Sequence, residues 1–308
     1  MKINVDKEDA MLETVERIIK RCLGCNAGEI RKSEKITNNF VYSFAVADDH
    51  YFLKLYRSKE WPEAGKIPFV YQSLARKNIP CAELIAYERD DETYPNGYLI
   101  EREIRGTAAD KMRLTREQET RLYAQLAELV SSVHGVRIEN YGYIGDGIAC
   151  YGGMTDFLED EFDGFDDKLK DILSEAQMKK LRAQVLGVTY DFAGLPSVLC
   201  HGDLSKKNVI VRDDEITLID WDDAMALNWM ADVSRLTFWM KQSYNEQEYA
   251  SFRNMFLEHY RTPYRKAEFD VFESAWHIYS ALDSLVFSMR VGDKEMEKRL
   301  RRYLDEIC

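Results

Sequence analysis

The sequence has no apolar run long enough to cross a membrane. Its N-terminus lacks the basic stretch and apolar core of an export signal. A cytoplasmic location is therefore the expectation. Cations are also short: 42 Lys and Arg face 54 Asp and Glu, a net charge of −12. Such a surface repels a phosphate backbone, which argues against nucleic acid as a partner and is compatible with a cationic ligand. The six cysteines are scattered. Cys22 and Cys25 form a C-x-x-C with no second pair, so neither a zinc centre nor a redox pair is expected, and most thiols read as reduced and buried. Internal repeats, low-complexity runs and a G-x-G-x-x-G phosphate loop are all missing.

What remains is a chain of 308 residues, 45% of them hydrophobic, with enough length and apolar content for one large two-lobed domain or two small ones. Strand-like segments come first and helical ones follow. That order suits an α+β fold with a small β-rich lobe ahead of a larger, mainly helical one. Residues 8–23 carry Leu12, Val15, Ile19 and Cys22 on one stripe and read as an amphipathic helix packed on the first lobe.

Residues 198–223 hold the chemistry. His201, Asp203 and Asn208 stand in the order H-x-D-L-x-x-x-N, and Asp220 follows after two β-branched runs around the polar turn at 212–214. A hairpin there brings Asn208, at its entry, close to Asp220, at its exit. Two oxygen donors at a hairpin's open end suit Mg²⁺, which favours a few protein oxygens together with phosphates and water. Asp203 is then placed to orient a hydroxyl nucleophile and accept its proton. Phosphoryl transfer from ATP needs these three polar groups. His201 either braces the loop or takes part in it.

HGDLSKKN followed by LIDWDDA resembles the aminoglycoside phosphotransferase and choline kinase superfamily, the small-molecule relatives of protein kinases, and sits closer to the antibiotic-kinase branch. The likeness runs over roughly residues 30–290. Protein kinases usually have Arg where Gly202 stands, and Phe-Gly where Trp221 and Asp222 stand. The resemblance implies a protein-kinase-like two-lobed fold. Residues 1–105 would form the nucleotide-binding lobe with the hinge, and 106–308 the catalytic and substrate-binding lobe. It also implies ATP or GTP as donor, with Mg²⁺.

Several upstream and downstream features bear on that resemblance. Lys54, in the middle of the apolar strand 51–56, would grip the nucleotide phosphates. Before it come strand 30–36, loop 37–40, strand 41–47 and turn 48–50, a meander whose first turn would cover the phosphates with Thr37, Asn38 and Asn39. Protein kinases pair the strand Lys with a helix Glu. The helix read over 68–77, with Pro68 at its first position, has none. That place falls at Lys66 or Ile67, and Glu60 and Glu63 are the substitutes at hand. Residues 98–106 resemble the hinge, which puts main-chain adenine contacts at Arg102 and Ile104. Residues 116–135 read as a helix ending in His134, a packing residue, and Asp232 as the helix-capping Asp that braces the catalytic loop.

For the acceptor, the acidic-aromatic segment 156–167 and the helix carrying Trp276, Tyr279 and Asp283 are the candidate walls. The acidic run implies a cation such as an aminoglycoside or amino alcohol. Three other readings stay open: a metabolic kinase for a neutral acceptor (sugar, homoserine, macrolide), a protein kinase, and a non-catalytic nucleotide-binding module. Residues 221–231 leave no room for a long activation segment, which points to a constitutively active phosphotransferase.

Overall fold

The computed structural model describes residues 2–33 and 39–308, with side chains described from residue 10 onward. The chain opens on α1 (Lys2–Leu23), β1 (Arg31–Lys32), β2 (Asn39–Val46), β3 (Asp49–Tyr56), α2 (Lys66–Arg76), β4 (Leu84–Glu88) and β5 (Tyr98–Arg102). The five strands make one antiparallel sheet in the order β1-β2-β3-β5-β4. Alternation along β3 decides where Lys54 goes. Tyr51, Leu53 and Leu55 join Tyr42, Phe44, Tyr98 and Ile100 beneath Val15, Ile18 and Ile19 of α1. Lys54 and Tyr56 therefore face the other way, and Tyr56 packs in the cluster that holds Ile67, Val70 and Leu74 of α2.

After β5 come β6 (Thr107–Ala108), α3 (Arg116–Val133), β7 (Tyr141–Gly145), β8 (Ile148–Tyr151), α4 (Met154–Leu169) and α5 (Glu175–Asp191). Then follow β9 (Val198–Cys200), β10 (Val209–Arg212), β11 (Glu215–Leu218), β12 (Met225–Leu227), α6 (Trp229–Ser243), α7 (Glu246–His259), α8 (Lys266–Val291) and α9 (Lys294–Ile307). Capping boxes at Thr115 and Asn245 start α3 and α7, and Gly292 in the left-handed conformation ends α8. Two small sheets, β11-β10-β6 and β8-β7-β12-β9, lie among these helices. The result is the expected α+β arrangement of a small sheet lobe and a larger helical part.

Three expectations need correction. The helix at 68–77 starts earlier, at Lys66 behind a left-handed Gly65, so Pro68 sits third rather than first. Proline is tolerated there because N–H groups of the first turn have no intrahelical partner. Asn39 belongs to β2, opposite Tyr56, and not to a loop. Strand 30–36 is a strand only over Arg31–Lys32 among the described residues, and Thr37 and Asn38 lie outside them. No helix among the described residues is long and apolar enough to span a membrane.

Candidate active site

The hairpin of β10 and β11 forms as expected, with Val209 opposite Leu218 and the turn at Asp213. At its open end the Ile219 N–H donates to the Asn208 carbonyl (3.0 Å), which brings Asn208 and Asp220 side by side. Asn208 Nδ2 donates to the Asp203 carbonyl (2.8 Å) and to Asp203 Oδ2 (3.0 Å). Those two bonds use the N–H pair of the amide and leave its oxygen. Asp203 also pairs with Lys207 Nζ at 2.8 Å.

The loop rests on a buried polar brace. His201 is fully buried; its Nε2 donates to the Ile219 carbonyl (2.9 Å) and its Nδ1 accepts from the Asp203 N–H (3.3 Å). Both nitrogens are spent on main chain, so His201 is architectural. Asp232 accepts from the N–H groups of His201 (2.9 Å) and Gly202 (3.1 Å), and from His134 Nε2 (3.1 Å). Tyr260 Oη donates to the other ring nitrogen of His134 (2.6 Å). Asp232 braces the loop as expected but does not cap α6, since Asn228 takes the cap through the Ala231 N–H. Gly202 has φ +80°, and a Cβ there would run into the Asp223 carbonyl, which excludes the Arg of protein kinases.

Lys54, 9% exposed, donates to Asp220 Oδ1 (2.5 Å) and Asp222 Oδ2 (3.2 Å). Burial pulls its ammonium down, yet Asp220, Asp222 and Glu101 hold it well above the usual lysine value. Burial opposes ionisation of Asp220 too, but Lys54 more than offsets this and keeps the carboxyl below its ordinary range. Asp223 has no such partner: burial and the carboxylates of Asp203, Asp220, Asp222 and Asp283 push it up to about 7. Neither Glu60 nor Glu63 pairs with Lys54, because Glu63 is the ion-pair partner of Lys66 and Glu60 bonds Ser58.

These groups face a cleft of about 430 Å³ shared by Asn39 and Lys54 with Asp203, Asp220 and Asp223. At the hinge the N–H groups of Arg102 and Glu103 go to the carbonyls of Glu83 (2.9 Å) and His50 (2.8 Å). Arg102 Nε also donates to Glu83 (2.7 Å), and Ile104 lies just beyond the last sheet bond. The far wall of the cleft carries Tyr143, Glu161, Phe165, Trp276, Tyr279 and Asp283. Glu161 accepts from Tyr143 Oη and from Tyr279 Oη (2.7 Å), and burial lifts its carboxyl above the ordinary value. The Trp276 and Tyr279 rings lie 4.6 Å apart. Asp283 pairs with Arg235 at 2.8 Å.

The segment 156–167 was a candidate wall of the acceptor pocket, and of its acids only Glu161 lines the cleft. Asp163 and Asp166 pair with Arg182 of α5 (2.7 and 3.2 Å), on another face of α4. Tyr143 and Arg235 were not singled out at all, nor was Trp61, which reaches the cleft from the small lobe. They come from segments far apart in sequence and share no spacing.

Comparison with known proteins agrees with this fold. The model of the phosphotransferase enzyme family matches residues 35–270. No curated protein matches the sequence. Among solved structures, aminoglycoside phosphotransferase APH(4)-Ia, in a ternary complex with AMP-PNP and hygromycin B, is similar at a TM-score of 0.73. Its identity is 20%, over 96% of this chain and 97% of that one. The GDP and kanamycin complex of APH(2")-IIia is similar at 0.66 and 14% identity, over 94% and 96%. Choline kinase LicA from Streptococcus pneumoniae gives 0.66 and 15%, over 95% and 98%. With the family model spanning most of its length and the kinase-like fold in place, the chain belongs to the phosphotransferase enzyme family.

Proposed function

We propose that the chain transfers the γ-phosphate of ATP or GTP to a hydroxyl of a small cationic acceptor. Residues 1–105 would bind the nucleotide and 106–308 the acceptor. Asp203 orients the acceptor hydroxyl and takes its proton, while Lys54 holds the nucleotide phosphates. Asn39, and Thr37 and Asn38 before it, would cover the phosphates. The Arg102 carbonyl and the Ile104 N–H would meet the base. Asn208 and Asp220 both stand at the hairpin's open end; the oxygen of the one and the carboxylate of the other suit a hard cation and would hold Mg²⁺, which supplies neutralisation of phosphate charge.

The acceptor half of the reading rests on one observation. Glu161 sits in the far wall with two tyrosine hydroxyls as its hydrogen-bond partners and aromatic rings around it. A carboxylate in such a wall attracts an ammonium group by charge, and the rings of Trp276 and Tyr279 add a cation–π contribution. Glu161 and Asp203 line the same cleft, so a bound amino alcohol would offer its ammonium to the one and its hydroxyl to the other.

A coupled assay with Mg·ATP and Mg·GTP tests this against amino alcohols, aminoglycosides, neutral sugars, a macrolide and a generic protein. Turnover stimulated by a hydroxylated amine is the expected result. Phosphorylation of the protein alone, or of neutral acceptors alone, overturns the acceptor assignment.

A further inference from the structure

The helix that should answer Lys54 has no acid to offer. The α2 sequence KIPFVYQSLAR contains neither Asp nor Glu, and its first residue is a lysine. In protein kinases the strand Lys is held by a helix Glu, and that ion pair sets the lysine for the phosphates. Here the carboxylate comes from the opposite lobe. Asp222, 2% exposed, follows directly on Asp220 and Trp221 and is wrapped by donors from the small lobe. Its Oδ2 accepts from Asn39 Nδ2 (3.1 Å) and Lys54 Nζ (3.2 Å), and its Oδ1 from Tyr56 Oη (3.3 Å). Lys66, 1% exposed, donates to the Asp222 carbonyl (3.2 Å) and is itself paired with Glu63. The helix thus supplies the cation and the large lobe the anion.

The other carboxylates near Lys54 have other roles. Asp220 makes the shorter bond to Lys54 (2.5 Å), but it lies at the hairpin's open end with Asn208, where the proposed function needs it for the metal. Glu101 is buried on β5 and accepts from Tyr71 Oη of α2 at 2.5 Å, which ties helix to sheet without Lys54. Among the described residues, Asp222 alone combines contact with Lys54, full burial and protein donors to both its oxygens.

We infer that Asp222 is the positioning residue for Lys54, replacing the helix glutamate, and that Lys66 fixes Asp222 from the helix side. This rests on the phosphotransferase reading of the cleft. Asp222 is not assigned to the metal, because its oxygens already accept from Asn39, Lys54 and Tyr56.

The test uses the full chain and titrates Mg·AMP-PNP by calorimetry, so it needs no knowledge of the acceptor. A charge-assisted bond to a phosphate-gripping lysine is worth enough that Asp222→Asn should weaken Mg·AMP-PNP by about tenfold. Adenosine, which has no phosphates, should bind as before. In a Lys54→Met background the same change should add less than about twofold, because Asp222 then has nothing to position. Lys66→Met runs the same cycle with a smaller expected loss, about threefold, should the buried Asn variant not fold. A further tenfold loss in the Lys54→Met background overturns the inference. So does a rise in the Mg²⁺ requirement in step with the loss, which would make Asp222 a metal ligand. A protein that shows the expected cycle but phosphorylates no acceptor leaves the inference standing and sinks the proposed function alone.

Discussion

Asp203 and Asp220 stand before and after one hairpin and should fail in different ways. In the proposed reading Asp203 orients the acceptor hydroxyl, so Asp203→Asn should lower turnover by about two orders of magnitude with nucleotide affinity nearly intact. Asp220→Ala removes an oxygen donor at the hairpin's open end and should weaken Mg²⁺-dependent nucleotide binding itself. Stopped turnover and calorimetry separate the two, and wild-type turnover in the Asn variant would remove Asp203 from its role. Glu161 offers a pH test. Burial raises its carboxyl above the ordinary glutamate value of 4.5, so it becomes neutral at a higher pH than an exposed glutamate. Affinity for a cationic acceptor is then present above that raised pKa and lost as pH falls through it. The acceptor KM should climb on acidification in the wild type and stay flat and high in Glu161→Gln, with kcat little changed. A wild-type KM independent of pH would detach Glu161 from the acceptor. Asp203, Asn208 and Asp220 were legible in the sequence because one hairpin fixes their spacing. Glu161 was not separable from Asp163 and Asp166 beside it. Only the direction in which α4 presents each side chain tells a cleft residue from a partner of Arg182.

At the scale of the element, the loop that carries His201 and Asp203 depends on α6. Asp232, in the first turn of α6, receives the main-chain N–H groups of His201 and Gly202 and the ring of His134. Burial opposes its ionisation, but the hydrogen bonds from the His134 ring and the His201 main chain outweigh it and keep the carboxyl below its ordinary range. Asp232→Ala would strand three buried donors. Breaking a buried polar pair from one side costs about 3–5 kcal/mol, so chemical denaturation should show a loss of that order together with lost turnover. A variant of wild-type stability would mean that the loop holds itself. The pattern of α3 and the hairpin could be read from periodicity and turn chemistry. The start of α2 could not, because Pro68 is as acceptable third in a helix as first. What set the boundary was the left-handed Gly65 packed against the tip between β7 and β8, a contact from the other lobe.

That contact belongs to a larger arrangement that bears on regulation. Regulated protein kinases switch by moving the helix that carries the Glu and by ordering an activation segment. In this molecule α2 is tied down on several sides. Tyr71 bonds Glu101 of β5, Lys66 bonds the Asp222 carbonyl, and Phe69 lies against Gly147 (φ +86°), where any side chain would collide with the ring. Ile67, Val70 and Leu74 share one apolar cluster with Ile138 and Ile144 of the large lobe. The segment after Asp220 is equally committed: a single 3-10 turn at Trp221–Asp223 leads into β12, which is paired on both sides, by β7 and β9. To move, either element would have to break these contacts and pairings, and a second arrangement that lost them would lie higher in energy. The protein should therefore turn over its acceptor when purified without any partner kinase, and phosphatase treatment should leave the rate unchanged. Hydrogen exchange supplies a second readout: amides in the middle of α2 should be protected to the same degree as those of α3, before and after nucleotide is added. Activity that appears only after the protein is phosphorylated, or α2 amides that become protected only with nucleotide, would show that the helix is a moving part after all.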